Sequence, residues 1–228
     1  MNNPLKTLTK RDVFIWLGSL FAVIIANAAT SDFDVLTLAA AMIGVTSLIF
    51  AAKGNVWAQI LMIVFSILYG IISFRFRYWG EMITYLGMTL PMAVWSTVTW
   101  LKNPSEKNGS EVQIQKLGKK HIAAISVVSI VVTGVFYVIL QLLDTPNIIF
   151  STVSVLTSFL AVTLTMLRSS YYAFGYAAND LVLIILWIMA SLDEPGYIPV
   201  AVNFCIFFMN DMYGFINWKK REAMQNEE

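Results

Sequence analysis

The chain reads as an all-α integral membrane protein of about eight transmembrane helices, with one N-terminal helix ahead of a three-plus-one-plus-three bundle built from a parallel repeat. Three observations predict this. Of the 228 residues, 58% are hydrophobic and only 13% charged, with a mean hydropathy of +0.70; a soluble domain carries about 25% charged residues. The apolar residues fall into continuous stretches, each near the roughly 20 residues that cross about 30 Å of hydrocarbon as a helix. None has the short alternation of barrel strands. The two halves of the chain also repeat each other's boundary residues.

The eight stretches run approximately from Val13 to Ala29, Val35 to Ala52, Asn55 to Ser73, Gly80 to Leu101, His121 to Leu143, Asn147 to Leu167, Tyr171 to Ala190 and Tyr197 to Trp218. The first follows Lys6, Lys10 and Arg11 and ends in Ala26-Asn27-Ala28, which imitates a signal peptide; we read it as a retained helix. The fourth contains Pro91, expected to kink it. Residues 102–120 between the fourth and fifth stretches are polar, with Pro104 and Gly109, and read as a loop joining two halves. Asn108-Gly109-Ser110 matches a glycosylation acceptor by chance, since the loop is assigned to the cytoplasm. With eight crossings, one side receives Lys6, Lys10, Arg11, Lys53, Lys102, Lys107, Lys116, Lys119, Lys120, Arg168, Lys219, Lys220 and Arg221, and the other only Arg75 and Arg77. The positive-inside rule then puts both termini in the cytoplasm, as for a multi-pass protein of a bacterial inner membrane.

Trp95, Trp100 and Lys102 close the fourth stretch as Tyr213, Trp218 and Lys220 close the eighth, and Lys53, Asn55 and Trp57 open the third as Arg168, Ser170 and Tyr172 open the seventh. The organisation that follows is an N-terminal helix and outer loop (1–34), a three-helix unit (35–101), a loop and linker helix (102–146), a second three-helix unit (147–218) and a cytoplasmic tail (219–228). Parallel repeats of this kind hold substrate between their halves near the midplane.

Polar residues at membrane depth mark that passage. In the eighth stretch Asn203, Asn210 and Asn217 recur every seventh residue, on one side of a helix, with Asp211 beside the middle one. A carboxylate at the bilayer centre costs about 2.5–3.5 kcal/mol on insertion scales and is normally kept for function. The seventh stretch carries Tyr172, Tyr176 and Asn179 on one face with Asp180 adjoining; the third carries Gln59, and the fourth Glu81, Tyr85 and Trp95. The candidate substrate-binding set is Gln59, Tyr85, Trp95, Tyr172, Tyr176, Asn179, Asp180, Asn203, Asn210, Asp211 and Tyr213. The serines of the sixth stretch, Ser151, Ser154 and Ser158, are assigned to helix packing.

Rings with amides suit a flat heterocycle on a sugar, the aspartates favour a cation, and no Arg or Lys at depth awaits a phosphate. The net charge of +1 argues against nucleic acid, and Cys205 has no partner for a disulfide or metal cluster. His121, at a membrane edge after Lys119 and Lys120, reads as interfacial. No hydrolase, phosphate-loop or metalloprotease motif is found, and neither aspartate sits in the setting of an intramembrane protease, so an enzyme is the weaker class. No cofactor or metal is called for.

Tyr-Trp-Gly-Glu (Tyr78 to Glu81), Tyr85 and the Trp95-to-Trp100 segment, then Arg168, Asn179 and Tyr-Gly-Phe-Ile-Asn-Trp-Lys-Lys (Tyr213 to Lys220), resemble the PnuC family of vitamin and nucleoside transporters, over roughly residues 35 to 221. The resemblance implies a SWEET-like fold and facilitated diffusion of nicotinamide riboside or a related compound. It also implies that a cytosolic kinase, a functional rather than physical partner, traps the product; a homo-oligomer in the bilayer is compatible with it. Many nicotinamide riboside carriers show W-x-x-W before the seventh-helix asparagine, where this chain has Tyr172, Phe174 and Tyr176. Relatives carry thiamine, riboflavin or deoxynucleosides, and a deoxynucleoside is the alternative substrate.

Overall fold

The computed structural model describes residues 4–29, 33–106 and 109–226, which leaves Lys107 of the basic set and Asn108 of the acceptor match outside the described residues. Helix α1 (Lys10–Ala28) starts at a capping box, in which Thr9 and Asp12 satisfy each other's backbone amides. Helix α2 (Val35–Ala52) starts at Asp34, whose carboxylate accepts from the amides of Leu36 and Thr37. Gly54, at φ 62°, turns the chain into α3 (Trp57–Arg75).

The fourth span is not one helix. It divides into α4 (Trp79–Ile83), a π-helical segment (Thr84–Thr89) and α5 (Leu90–Lys102). Pro91 lies at the start of α5, and its missing amide and ring clash with the preceding turn are accommodated by the wider π winding. The expected kink is therefore a change of helix type just before the proline. Then come α6 (Lys119–Leu142), α7 (Ile148–Met166), α8 (Tyr172–Asp193) and α9 (Ile198–Asn226). Seven of these are long and apolar enough to cross a membrane, and the broken fourth completes eight spans.

The packing follows the repeat. In the first unit α3 packs on α2 and α5; in the second α8 packs on α7 and α9. Between units the pairing is reciprocal: α2 lies against α9, and α5 against α7. The repeat tryptophans seal it, because Trp100 Nε1 donates to Thr165 O (2.9 Å) and Trp218 Nε1 to Ala51 O (2.7 Å). Each thus ties the last helix of its own unit to the first helix of the other. The turns after those first helices also match, with left-handed residues at Gly54 and Arg168 (φ 56°). Helix α6 packs on α7 and buries only Ile125, Ser129 and Leu140, as expected of a linker.

The start of α1 lies beside the last turns of α2 and α9, through Asp12 with Lys53 and Tyr213, on a face here called the terminal face. Across it residues 103–106 and 109–117 form a strap, pinned to both matching turns: Val112 N donates to Gly54 O (2.9 Å) and Gln115 N to Arg168 O (3.0 Å). The expected tail beyond Trp218 is two further turns of α9, whose buried Arg221 reaches Lys53 O and the Glu111 carboxylate.

Candidate functional site

Three cavities follow one another from the face opposite the termini inward. A vestibule of about 520 Å³ is lined by Asn27, Asp34, Thr37, Arg75, Phe76, Glu194 and Tyr197 among others. Burial pushes the Asp34 carboxyl up, but hydrogen bonds from Thr37 and Leu36 and the Arg75 charge outweigh it and hold it below the usual value. Thr37 is shared with a second, narrow chamber, where α2, α3 and α9 contribute Ala41, Tyr69 and Asn203. Phe65, Phe204 and Phe207 divide that chamber from a central cleft.

The cleft lies between the two units. The first unit supplies Gly44, Leu48, Met62, Phe65, Tyr85 and Thr89; the second supplies Ser158, Tyr176, Asn179, Asp180, Phe204, Phe207 and Asp211. The π segment presents Tyr85 and Thr89 together. Tyr85 is braced by Tyr69 (ring centroids 4.3 Å apart), whose hydroxyl accepts from Trp187 Nε1 at 2.8 Å. Asn179 is held by its carbonyl oxygen, which accepts from Thr157 Oγ1 (2.8 Å) and Ser158 Oγ (2.9 Å). An asparagine fixed through its oxygen offers its two N–H donors to the cleft. Asp180 and Asp211 are both buried in the lining of the cleft, and among the described residues no donor reaches Asp180 Oδ2.

Toward the terminal face the cleft is shut. Tyr172 packs against Tyr176, Trp100 and Trp218, its ring centroid 4.5 Å from that of Trp218. Beneath them lie the strap and Arg221.

Of the sequence-predicted residues, the cleft unites Tyr85, Tyr176, Asn179, Asp180 and Asp211. Tyr172 belongs to the aromatic plug, and Asn203 to the second chamber. Gln59 is buried one turn into α3, outside the lining of these chambers. Trp95 is a correction: at 63% exposure it faces the lipid, on the outer side of α5. Asn210 and Tyr213 are corrected too, because they face α1. Asn210 Nδ2 donates to Ser19 Oγ (2.9 Å), Tyr213 Oη donates to Asp12 Oδ1, and higher up Asn27 Nδ2 donates to Asn203 Oδ1 at 3.4 Å. Asp12 is paired with Lys53 Nζ at 3.1 Å. Asn203 and Asn210 of the α9 stripe are thus the polar seat of α1, and one residue from Asn210, Asp211 faces the cleft.

Sequence reasoning missed the phenylalanines, Gly44 and Ser158. The serines assigned to packing do more: Ser158 orients Asn179, and Ser154 Oγ donates to the buried Glu81 carboxylate at 2.9 Å. Their spacing held that signal, since the stripe on α7 continues onto the same cleft.

A profile of the nicotinamide mononucleotide transporter family matches residues 34–220. The nicotinamide riboside transporter PnuC of Neisseria mucosa is 24% identical over 185 residues, covering 79% of this chain and 70% of the relative. The crystal structure of the vitamin B3 transporter PnuC superposes with a TM-score of 0.81 at 24% identity, covering 93% of this chain and 92% of that one, a likeness of fold. The profile takes in both three-helix units, the linker and the whole cleft between them: this chain belongs to the nicotinamide mononucleotide transporter family, a family of membrane transporters.

Proposed function

We propose that the chain carries nicotinamide riboside across a bacterial inner membrane by facilitated diffusion, with the terminal face in the cytoplasm and a cytosolic kinase trapping the product. The observation that carries this reading is the cleft between the units, where aromatic rings, a fixed amide and two carboxyl groups converge in a buried space. A nicotinamide ring suits the Tyr85 and Tyr176 faces, and its carboxamide or the ribose hydroxyls suit the Asn179 donors. The family's printed name refers to a mononucleotide, yet no Lys or Arg lines the cleft to meet a phosphate, which favours the nucleoside. The substrate named for the Neisseria relative agrees with that preference.

Transport through such a site needs only alternate opening of its two ends, without a nucleotide-driven motor. Uptake of labelled nicotinamide riboside, thymidine, thiamine and riboflavin into proteoliposomes tests the reading. Nicotinamide riboside is expected to enter fastest and to stop at equal concentrations on both sides. Faster uptake of thymidine would replace it with the deoxynucleoside reading, which the tyrosines at 172 and 176 leave open. Accumulation driven by a proton or sodium gradient would overturn passive diffusion.

A further inference from the structure

We propose that a groove at the terminal face, between the start of α6 and the junction of α7 with α8, binds the head group of an anionic phospholipid. The inference is independent of the substrate reading, because no residue of the central cleft lines this groove. Its volume is about 460 Å³, within the roughly 300–1,000 Å³ of small-molecule sites. One wall is apolar. Leu117 and Ile122 come from the approach to α6 and its first turn, and Leu164 from the last turn of α7. Ile122 is exposed, and beyond it along α6 so are Val127, Ile130 and Val131. An acyl chain can therefore run from the groove along α6 without leaving hydrocarbon.

The other wall is polar and carries an excess of positive charge. Lys116 lines it, and Lys119 stands three residues before Ile122, on the same side of α6. Both are exposed, and among the described residues neither forms a salt bridge. Arg168, behind Gln115, donates to two uncharged acceptors, Gln113 O (3.3 Å) and Gln115 Oε1 (3.0 Å), so its charge is not offset there. Glu222 is the carboxylate of the lining, and it is already engaged: it accepts from Lys219 Nζ and from Ser170 Oγ, each at 2.8 Å. Basic pockets between membrane helices at the bilayer surface take phospholipid head groups, and each Lys or Arg there contributes about fivefold in affinity. Free phosphate would satisfy the lysines alone. A phospholipid satisfies both walls.

The test is native mass spectrometry of the detergent-purified full chain, titrated with phosphatidylglycerol or phosphatidylcholine of the same acyl chains. Both lipids carry a phosphate, but only the first has a net negative charge. Phosphatidylglycerol should bind about 10- to 30-fold more tightly. Lys116→Gln together with Lys119→Gln should bring that ratio close to one. Lys6→Gln together with Lys10→Gln, which removes the same charge elsewhere on the terminal face, should leave it within about twofold. All four lysines are exposed, so the fold tolerates both pairs of changes. Equal affinities in the unaltered protein would overturn the inference. So would a preference that survives the first pair of substitutions, or one that the second pair abolishes as fully, since the attraction would then be spread over the whole face. Displacement of phosphatidylglycerol by an equal concentration of glycerol 3-phosphate would also overturn it, because the apolar wall would then contribute nothing.

Discussion

One residue of advance along a helix turns the side chain by about 100°, and that angle separates Asn210 from Asp211. The first donates to Ser19 on α1 while the second faces the cleft. The pair was legible in the sequence as polar residues at membrane depth, but which of the two faces substrate was not, because an accessory helix and a binding site both demand polar groups. Phe65, Phe204 and Phe207 were invisible for another reason: an aromatic residue in an apolar helix offers no contrast. Trp95 misled because a tryptophan near a membrane edge suits lipid as well as ligand. We therefore expect Asn179→Ala to weaken nicotinamide riboside binding about 5- to 150-fold, since losing one partner of a buried hydrogen bond costs about 1–3 kcal/mol. Asn210→Ala should leave affinity within about twofold and lower the melting temperature instead, because one cut bond between α1 and α9 bears on stability alone. Calorimetry and a thermal shift assay on the two variants separate the effects. At Gly44 an added Cβ would come within 2.7 Å of Phe207 and 3.1 Å of Phe65. Gly44→Val should accordingly close the cleft and abolish uptake, at a stability cost of about 1–3 kcal/mol from overpacking.

At the scale of elements, length and hydropathy were enough to mark all eight spans, and Pro91 was enough to mark a break. The kind of break was not legible, since a π-helical segment arises from how the neighbouring helices accommodate the proline. Nor was the strap. In the sequence this stretch looks like an ordinary polar loop, and residues 103–106 and 109–117 are held by distant partners on two turns and on α9. Gln225 Oε1, for example, accepts from Ile114 N. Arg221 holds this strap to the terminal face through Glu111. Arg221→Ala should loosen it, so that a cysteine placed at the buried Val112 reacts faster with an impermeant maleimide in inside-out vesicles; unchanged reactivity would mean that the backbone bonds suffice. The Asp12–Lys53 pair ties α1 to α2, and removing one partner of a buried pair costs up to about 3–5 kcal/mol. Asp12→Ala should thus lower the melting temperature more than Asn210→Ala does, with ligand affinity again preserved.

For the whole molecule the governing fact is the reciprocal seam, in which Trp100 and Trp218 each fasten the other unit's first helix. A seam of two similar halves can rock about the cleft it encloses, opening one end as the other closes, and the described arrangement has its plug at the terminal face. The basic residues gathered on that face predict its side of the membrane. In a Cys205→Ala background, cysteines placed at Lys6 and at the exposed Met224 should label only after permeabilisation; labelling in intact cells would reverse the assignment. Whether substrate sits between the units is decided by a structure determined with nicotinamide riboside bound. Ring density is expected between Tyr85 and Tyr176, within hydrogen-bonding distance of Asn179 and close to the Asp180 carboxyl. Density confined to the vestibule around Asp34 and Tyr197, with the central cleft empty, would contradict it.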